Sequence, residues 1–412
     1  MKTAPSLTTS SVTASGTSPA PPPRPRCAPP LPRPQGKLSA AVLSALPSPP
    51  APAPPAAPTP TPPPPSSLSS PRPPGTDPLL TTTETEIQHA DPYGADLQLA
   101  LYVLYELHYQ GFDGVDDDRE WDPALLAVRR ALEEVFLRAL RADVPAVGAA
   151  EALYGLLVEP VADDGTSVSH HLRREGRLWQ LREYAALRSL YHLKEADPHA
   201  WVIPRLRGRA KAGMVAVEFD EFGAGRAEDI HAQLFADLMA DLGLATAYGH
   251  YLDLAPAEAL ATVNLMSLFG LHRSLRGALV GHFATVEVTS SPAARRLADA
   301  MRRTGAGPAA ERFYDEHVEA DAVHEQVVRR EVIEGLLTDE PALEPDVGFG
   351  IGATVHLEDR LAAHLLDAWH HDRTALRTPL PPAEGSQDSS PSRTTPSPTR
   401  RKSPPGHEKS SP

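Results

Sequence analysis

Apolar residues recur with the spacing of an α-helix through most of the chain. In "ADLQLALYVLYELHYQGF", for example, Leu97, Leu101 and Leu104 would lie on one helix face. "DPALLAVRRALEEVFLRAL" begins at Asp122 and Pro123, a pair typical of a helix start. Alternation typical of a β-strand occurs only in "MVAVEFDEF", which is equally compatible with a helix. The pattern therefore predicts an all-α fold.

The two ends of the chain lack this pattern. Residues 1–78 contain 26 of the 46 prolines, and residues 377–412 contain another 9. Segments so rich in proline and so poor in large apolar side chains cannot bury enough surface to offset the chain entropy lost on folding. We therefore expect disordered tails over 1–80 and 377–412. Between them we expect accessory helices over 85–165 and a second helical domain over 170–375.

Composition and charge narrow the class of protein. The net charge of −14 and the lack of a basic stripe in the sequence argue against nucleic acid as the main partner. The sequence contains no run of about 18 apolar residues that could span a membrane, and its N-terminus lacks the apolar segment of a secretory signal. We expect a cytoplasmic protein without a membrane partner. The one cysteine, Cys27, lies in the proline-rich tail, so a metal would be bound by nitrogen and oxygen atoms.

His317, Asp321 and His324 have the spacing that places three side chains on one face of a helix. Position i+4 lies about 40° from position i around the helix axis, and position i+7 lies about 20° from it on the other side. On a buried face, two imidazoles and a carboxylate are costly unless they have partners, and they are well suited to binding a metal ion.

Other carboxylates and imidazoles occur in apolar or helix-terminal surroundings. His231 lies in "EDIHAQLFADLM", and Glu287 lies in "LVGHFATVEVTSSP", where an ionised carboxylate needs a partner. Glu195 lies at a predicted helix end, and Glu221 precedes a glycine-rich break. Glu228 forms an E-x2-H pair with His231 and could replace Glu221 as a ligand. Helical bundles with inward-facing carboxylates and histidines commonly hold pairs of metal ions.

Two further alternatives stay open at this stage. Glu287 could form an ion pair with Arg295 or Arg296 instead of binding a metal. His192 and His199 lie near the same positions in the sequence and could be unrelated to the site.

Four segments, in chain order, resemble the haem-oxygenase-like di-iron oxidases and oxygenases, a family of iron-containing redox enzymes. They are "YHLKEADPHAWVIPRL", "VEFDEFGAGRAEDIHAQLF", "HFATVEVTSSP" and "FYDEHVEADAVHEQVVRREV". In that family the H-x3-D-x2-H stripe is the signature, and it is complete here. The resemblance implies a haem-oxygenase-like helical bundle with seven metal-binding residues: Glu195, Glu221, His231, Glu287, His317, Asp321 and His324.

The resemblance also implies an activity. Members of the family use two Fe(II)/Fe(III) ions, with O2 as co-substrate, to oxidise a small molecule by N-oxygenation, desaturation or oxidative cleavage. We expect such an enzyme of specialised metabolism, acting as a homodimer, with an external electron donor as an additional partner; manganese is an alternative to iron. Two alternative functions are a non-enzymatic iron-binding or storage protein and a metal-free member of the same fold.

Overall fold

The computed structural model describes residues 28–46, 86–158 and 165–381. Within these ranges the chain forms helices and turns and contains no β-strand, so the predicted all-α fold is confirmed. The helices are α1 (Lys37–Ala45), α2 (Ala95–Glu106), α3 (Pro123–Asp143), α4 (Ala149–Leu157), α5 (Val168–Arg174), α6 (Leu178–His192), α7 (Asp197–Ala200), α8 (Gly208–Glu221), α9 (His231–Asp241), α10 (Ala257–Leu271), α11 (Arg276–Thr304), α12 (Pro308–Val327), α13 (Glu334–Asp339) and α14 (Glu344–His370).

Local sequence signals account for many of these boundaries. Helix α3 begins where the Asp122–Pro123 pair predicts, and the Asp122 carboxylate accepts hydrogen bonds from the backbone N–H groups of Ala124 and Leu125. The segment "MVAVEFDEF" lies in helix α8 up to Glu221, and Phe222 caps the helix, so it does not form a strand. No helix among the described residues is long and apolar enough to cross a membrane.

Helix α11 lies at the centre of the core and packs most extensively against α12 and α14. Glycines allow its close approach to α14. A Cβ atom on Gly281 would overlap the carbonyl oxygen of Val347, and a Cβ atom on Gly350 would overlap the carbonyl oxygen of Ala278. Because α11 is enclosed in this way, a polar side chain on its buried faces must find its partners inside the protein.

The accessory helices pack directly onto this core. Helix α2 lies against α10, and nearly all of its residues are buried. A buried ion pair joins α2 to the turn that follows α6: Lys194 Nζ lies 2.8 Å from Glu106 Oε2. The hydroxyl of Tyr248 donates to the other carboxylate oxygen of Glu106 at 2.7 Å.

Helix α1 lies within the segment 1–80 that the sequence assigned to a disordered tail, so that expectation is wrong for residues 37–45. Leu38 and Val42 are buried in the core, and the Asp96 carboxylate accepts hydrogen bonds from the backbone N–H groups of Leu38 and Ser39. The apolar residues of "KLSAAVLSAL" recur at helical spacing, and the surrounding prolines obscured this short pattern. The rest of the two predicted tails, apart from residues 28–46 and 377–381, lies outside the described residues.

Candidate metal centre

The structure brings six of the seven predicted ligands together in two buried groups. We call Glu195, His231 and His317 the nitrogen-rich triad. We call the other group, which consists of Glu221, Glu287 and His324, the carboxylate-rich triad. In each triad, one potential ligand atom from every residue lies within 4.8 Å of the other two. The backbone of Asp321 is part of α12, but its side chain lies outside the described part of the structure.

Glu221 connects the two triads. Its Oε2 atom lies 2.6 Å from Nδ1 of His231, and its Oε1 atom lies 3.5 Å from Nδ1 of His324. The same nitrogen of His324 lies 3.2 Å from Oε2 of Glu287. Burial lowers the pKa of His231, but the hydrogen bond and negative charge of Glu221 outweigh this effect and raise it. The two triads are therefore electrostatically coupled through one carboxylate.

A strained glycine-rich loop places His231 beside Glu221. Gly223, Ala224 and Gly225 all have positive φ values, of 76°, 51° and 87°. A Cβ atom on Gly223 would also lie 2.6 Å from the backbone nitrogen of Ile230. Glycine is thus required at this position for both conformation and space. The loop reverses the chain after α8 and makes His231 the first residue of α9.

Glu195 projects from a second strained turn, between α6 and α7. The following residue, Ala196, has a left-handed backbone with φ of 73°, which is unfavourable for a residue with a Cβ atom. Oε1 of Glu195 accepts a hydrogen bond from Nδ1 of His192 at 2.8 Å. Burial would raise the pKa of Glu195, but His192, and then His317, lower it well below its usual range. Glu195 is therefore held as a carboxylate, and its Oε2 atom is buried without a hydrogen-bond partner among the described residues.

Hydrogen bonds determine which nitrogen of His317 faces the site. Nδ1 of His317 lies 2.7 Å from the carbonyl oxygen of Phe313, which can only accept, so Nδ1 carries the proton. When the ring is neutral, Nε2 is then the acceptor nitrogen, and it lies 3.9 Å from Oε1 of Glu195. An imidazole oriented in this way is typical of a metal ligand.

The same argument applies to His324 in the other triad. Its Nε2 atom lies 3.2 Å from the Asp220 carboxylate, which can only accept the hydrogen bond, so Nδ1 is the acceptor nitrogen when the ring is neutral. That Nδ1 atom faces Glu221 and Glu287. Carboxylates that orient metal-binding histidines are a recurrent feature of such sites. The sequence reasoning did not single out Asp220, although it immediately precedes Glu221.

A further carboxylate that the sequence reasoning missed lies one helical turn before Glu221. Glu218 is 2% exposed and lies on the buried face of α8. Burial, and then repulsion from Glu221 and Glu287, raise the pKa of Glu218 well above its usual range. The E-x2-E spacing in "VEFDEF" is the sequence signal that could have indicated it.

The residues that the sequence left as alternative ligands, Glu228, His199 and His192, lie at different distances from the two triads. Glu228 is exposed, whereas Glu221 is the carboxylate in contact with His231. His199 is buried against His282, with ring centroids 5.2 Å apart, and belongs to neither triad. His192, in contrast, contacts Glu195 and borders the site.

A cavity of about 400 Å³ adjoins the nitrogen-rich triad. Its lining includes His317 and His192, together with Tyr191 and a doubly hydrogen-bonded ion pair between Arg188 and Glu358. Burial would raise the pKa of Glu358, but Arg188 lowers it, so the pair is charged. No residue of the carboxylate-rich triad lines this cavity as described.

The donor set fits iron. Imidazole nitrogens and carboxylate oxygens, with no thiolate in either triad, are ligands that suit non-haem iron. The buried Oε2 of Glu195, which has no hydrogen-bond partner among the described residues, is also compatible with a cation in the site. Among the described residues, a third group, His171, Glu175 and His370, could also hold a metal ion, but two of its members are exposed.

Comparison with protein families agrees with this geometry. Residues 182–359 match the family described as iron-containing redox enzyme. The matched segment runs from within α6 to within α14 and contains every residue of both triads. No curated protein matches the chain. Through residues 182–359, the chain is therefore similar to iron-containing redox enzymes.

Proposed function

We propose that this protein is an O2-activating non-haem di-iron oxidase or oxygenase that acts on a small molecule. The observation that supports the proposal most directly is the pair of adjoining buried triads, one of which borders a cavity. The family match supports an iron-containing redox enzyme in general, and the presence of two triads supports the proposal of a pair of ions.

Each triad has a distinct part in the proposal. The nitrogen-rich triad would hold one ion and the carboxylate-rich triad the other, with Glu221 between them. Asp321, on the same helix as His317 and His324, is the seventh proposed ligand. Two iron ions, when bound, supply the electrons and the reactivity toward O2 that amino-acid side chains lack. The protein contributes geometry and charge: His192, Asp220 and the carbonyl of Phe313 fix the orientation of the ligands.

The cavity beside His317 is the proposed substrate site. Its volume suits a small organic molecule, and its wall combines apolar side chains with the Arg188–Glu358 pair. Phe313 packs on both His317 and His192, with ring centroids at 4.3 and 5.4 Å. These aromatic contacts would keep bulk water away from the ligands on this side. The outcome, whether N-oxygenation, desaturation or oxidative cleavage, depends on the substrate.

The proposal includes two partners besides the substrate. An external electron donor would return the iron ions to the ferrous state between turnovers. A second copy of the chain would form a homodimer, which measurement of the mass in solution by light scattering tests directly.

Anaerobic loading with Fe(II), followed by stopped-flow mixing with O2, tests the proposed function. We expect two iron ions per chain and a transient absorbance change that requires both iron and O2. His324→Ala is the control, because it removes a ligand without altering the cavity wall. Failure to bind iron would overturn the proposal. So would steady accumulation of ferric iron well beyond two ions per chain, which would indicate storage.

A further inference from the structure

Glu218 is a buried carboxylate whose interactions differ from those of comparable groups in this protein. Both of its carboxylate oxygens are buried and have no hydrogen-bond partner among the described residues. Glu106, in contrast, contacts Lys194 and accepts from Tyr248. Glu183 accepts from the indole of Trp369 and from the backbone of Ala375. Glu106 and Glu183 are thus satisfied by protein groups, whereas neither carboxylate oxygen of Glu218 has a hydrogen-bond partner among the described residues.

The carboxylates around Glu218 make its burial without hydrogen bonds more costly. The charged groups that act on it most strongly are the carboxylates of Glu221, Glu287, Asp197 and Glu195. Three of these belong to the proposed metal site. A buried carboxylate surrounded by others is tolerated only when cations neutralise it or a proton does.

We propose that Glu218 is an additional metal-binding carboxylate of this site, beside Glu221. The inference rests on the proposed function. Glu218 and Glu221 lie one turn apart on the same buried face of α8, so both carboxylates can approach ions held between α8, α11 and α12. Four glutamates, Glu195, Glu218, Glu221 and Glu287, would then share the positive charge of two divalent ions.

The proposal predicts that one substitution has different effects on metal-free stability and on metal affinity. Glu218→Gln keeps the shape of the side chain and removes its charge. Without metal, repulsion among the carboxylates falls, so the melting temperature should rise or stay the same. With metal, a stabilising charge is lost, so the affinity for a divalent ion should fall by about tenfold or more. Substitution of a purely structural glutamate would instead lower the melting temperature and leave the metal affinity unchanged.

The experiment uses Mn(II) as the probe, with free Mn(II) measured by electron paramagnetic resonance and melting temperatures recorded without metal. The full-length chain is compared with Glu218→Gln, with Glu218→Met as a second, apolar variant. The matched control is Glu183→Gln, which removes a buried carboxylate that is fully satisfied by protein groups. The control should lower the melting temperature and leave Mn(II) affinity unchanged.

Weaker Mn(II) binding in both Glu218 variants, with no loss of metal-free stability, supports the proposal. Unchanged Mn(II) affinity in Glu218→Gln overturns it and leaves the proposed function intact. Failure of both variants to fold would also overturn it, because Glu218 would then have a structural role. If the unmodified chain binds no Mn(II) and no Fe(II), the proposed function itself fails.

Discussion

The nitrogen-rich triad is held partly by a turn, whereas every residue of the carboxylate-rich triad projects from a long helix. Glu195 lies between α6 and α7, next to the strained Ala196. Glu221, Glu287 and His324 lie on α8, α11 and α12, which pack around the core. The triad that borders the cavity is thus the one with a ligand outside the helices. The other triad is held by helix packing and by the hydrogen bond from His324 to Asp220.

The turn that carries Glu195 is anchored to a part of the chain outside the segment that matches the family. Lys194 precedes Glu195 and forms its buried ion pair with Glu106 at the end of α2, whereas the matched segment begins at residue 182. The cation of Lys194 also lies over the rings of Tyr102 and Tyr109, at 5.0 and 4.3 Å. The accessory helices therefore contribute to the position of one triad and have no comparable contact with the other among the described residues.

The largest effects should come from removing one ligand of each triad. His317→Ala removes a nitrogen of the nitrogen-rich triad, and Glu287→Gln removes a charge of the carboxylate-rich triad while keeping its shape. Each variant should fold with nearly unchanged helicity and lose at least one iron ion per chain. Iron analysis and circular dichroism measure the two effects, with exposed Glu228→Gln as the control.

Two irons retained in both variants would place the site elsewhere. A Glu287 that serves mainly as an ion-pair partner would instead lower the melting temperature at unchanged stoichiometry.

Removal of the ion pair between Lys194 and Glu106, which we call the anchor, should weaken metal binding at one triad and not at the other. Lys194→Met leaves the Glu106 carboxylate buried without its cation, and loss of one partner of a buried pair typically costs about 3–5 kcal/mol. We expect a lower melting temperature and weaker binding of one divalent ion, with the second ion bound as in the unmodified chain. Mn(II) titration resolves the two affinities. The double variant Lys194→Met/Glu106→Gln should recover part of the stability, because no buried charge remains unpaired. Equal weakening of both affinities would show that the anchor does not act selectively.

Metal binding should also stabilise helix α12. This helix carries His317 and His324 and continues into the π-helical segment Val328–Ile333, a distortion that is common near functional sites. A ligand that binds only the folded state at 100 times its dissociation constant adds about 2.7 kcal/mol to the free energy of unfolding. Amide exchange across 313–328 should therefore slow when Fe(II) is added anaerobically. Identical exchange rates with and without Fe(II) would contradict the predicted stabilisation of α12 by metal. Exchange in α14 serves as the internal reference.

The smallest effects should follow removal of the chain ends. Deleting residues 1–27 and 382–412 removes proline-rich sequence with few large apolar residues, so helicity, melting temperature and metal binding should not change. Extending the N-terminal deletion to residue 46 removes α1, whose Leu38 and Val42 are buried, and should lower the melting temperature. Thermal unfolding followed by circular dichroism compares the two truncations. A large loss of stability in the shorter truncation would contradict the expectation.

The sequence predicted the features that depend on periodicity. Helix spacing identified the fold, and the stripe on α12 indicated a site. Features that depend on contacts between residues could not be predicted from periodicity. The left-handed conformation of Ala196 has no signal, because alanine rarely adopts it, and the orientation of His324 depends on a neighbour from another helix, Asp220. Glu218 resembled an ordinary helix-surface glutamate until the structure placed it on the buried face.

The central claim is that two chemically different triads each hold an iron ion. Mössbauer spectroscopy of the protein loaded anaerobically with ⁵⁷Fe(II) tests it most directly. Because one triad has two imidazoles and the other has two carboxylates, we expect two ferrous doublets of equal area at two irons per chain. His317→Ala should retain only one of them. A single doublet at one iron per chain, unchanged in His317→Ala, would contradict the account.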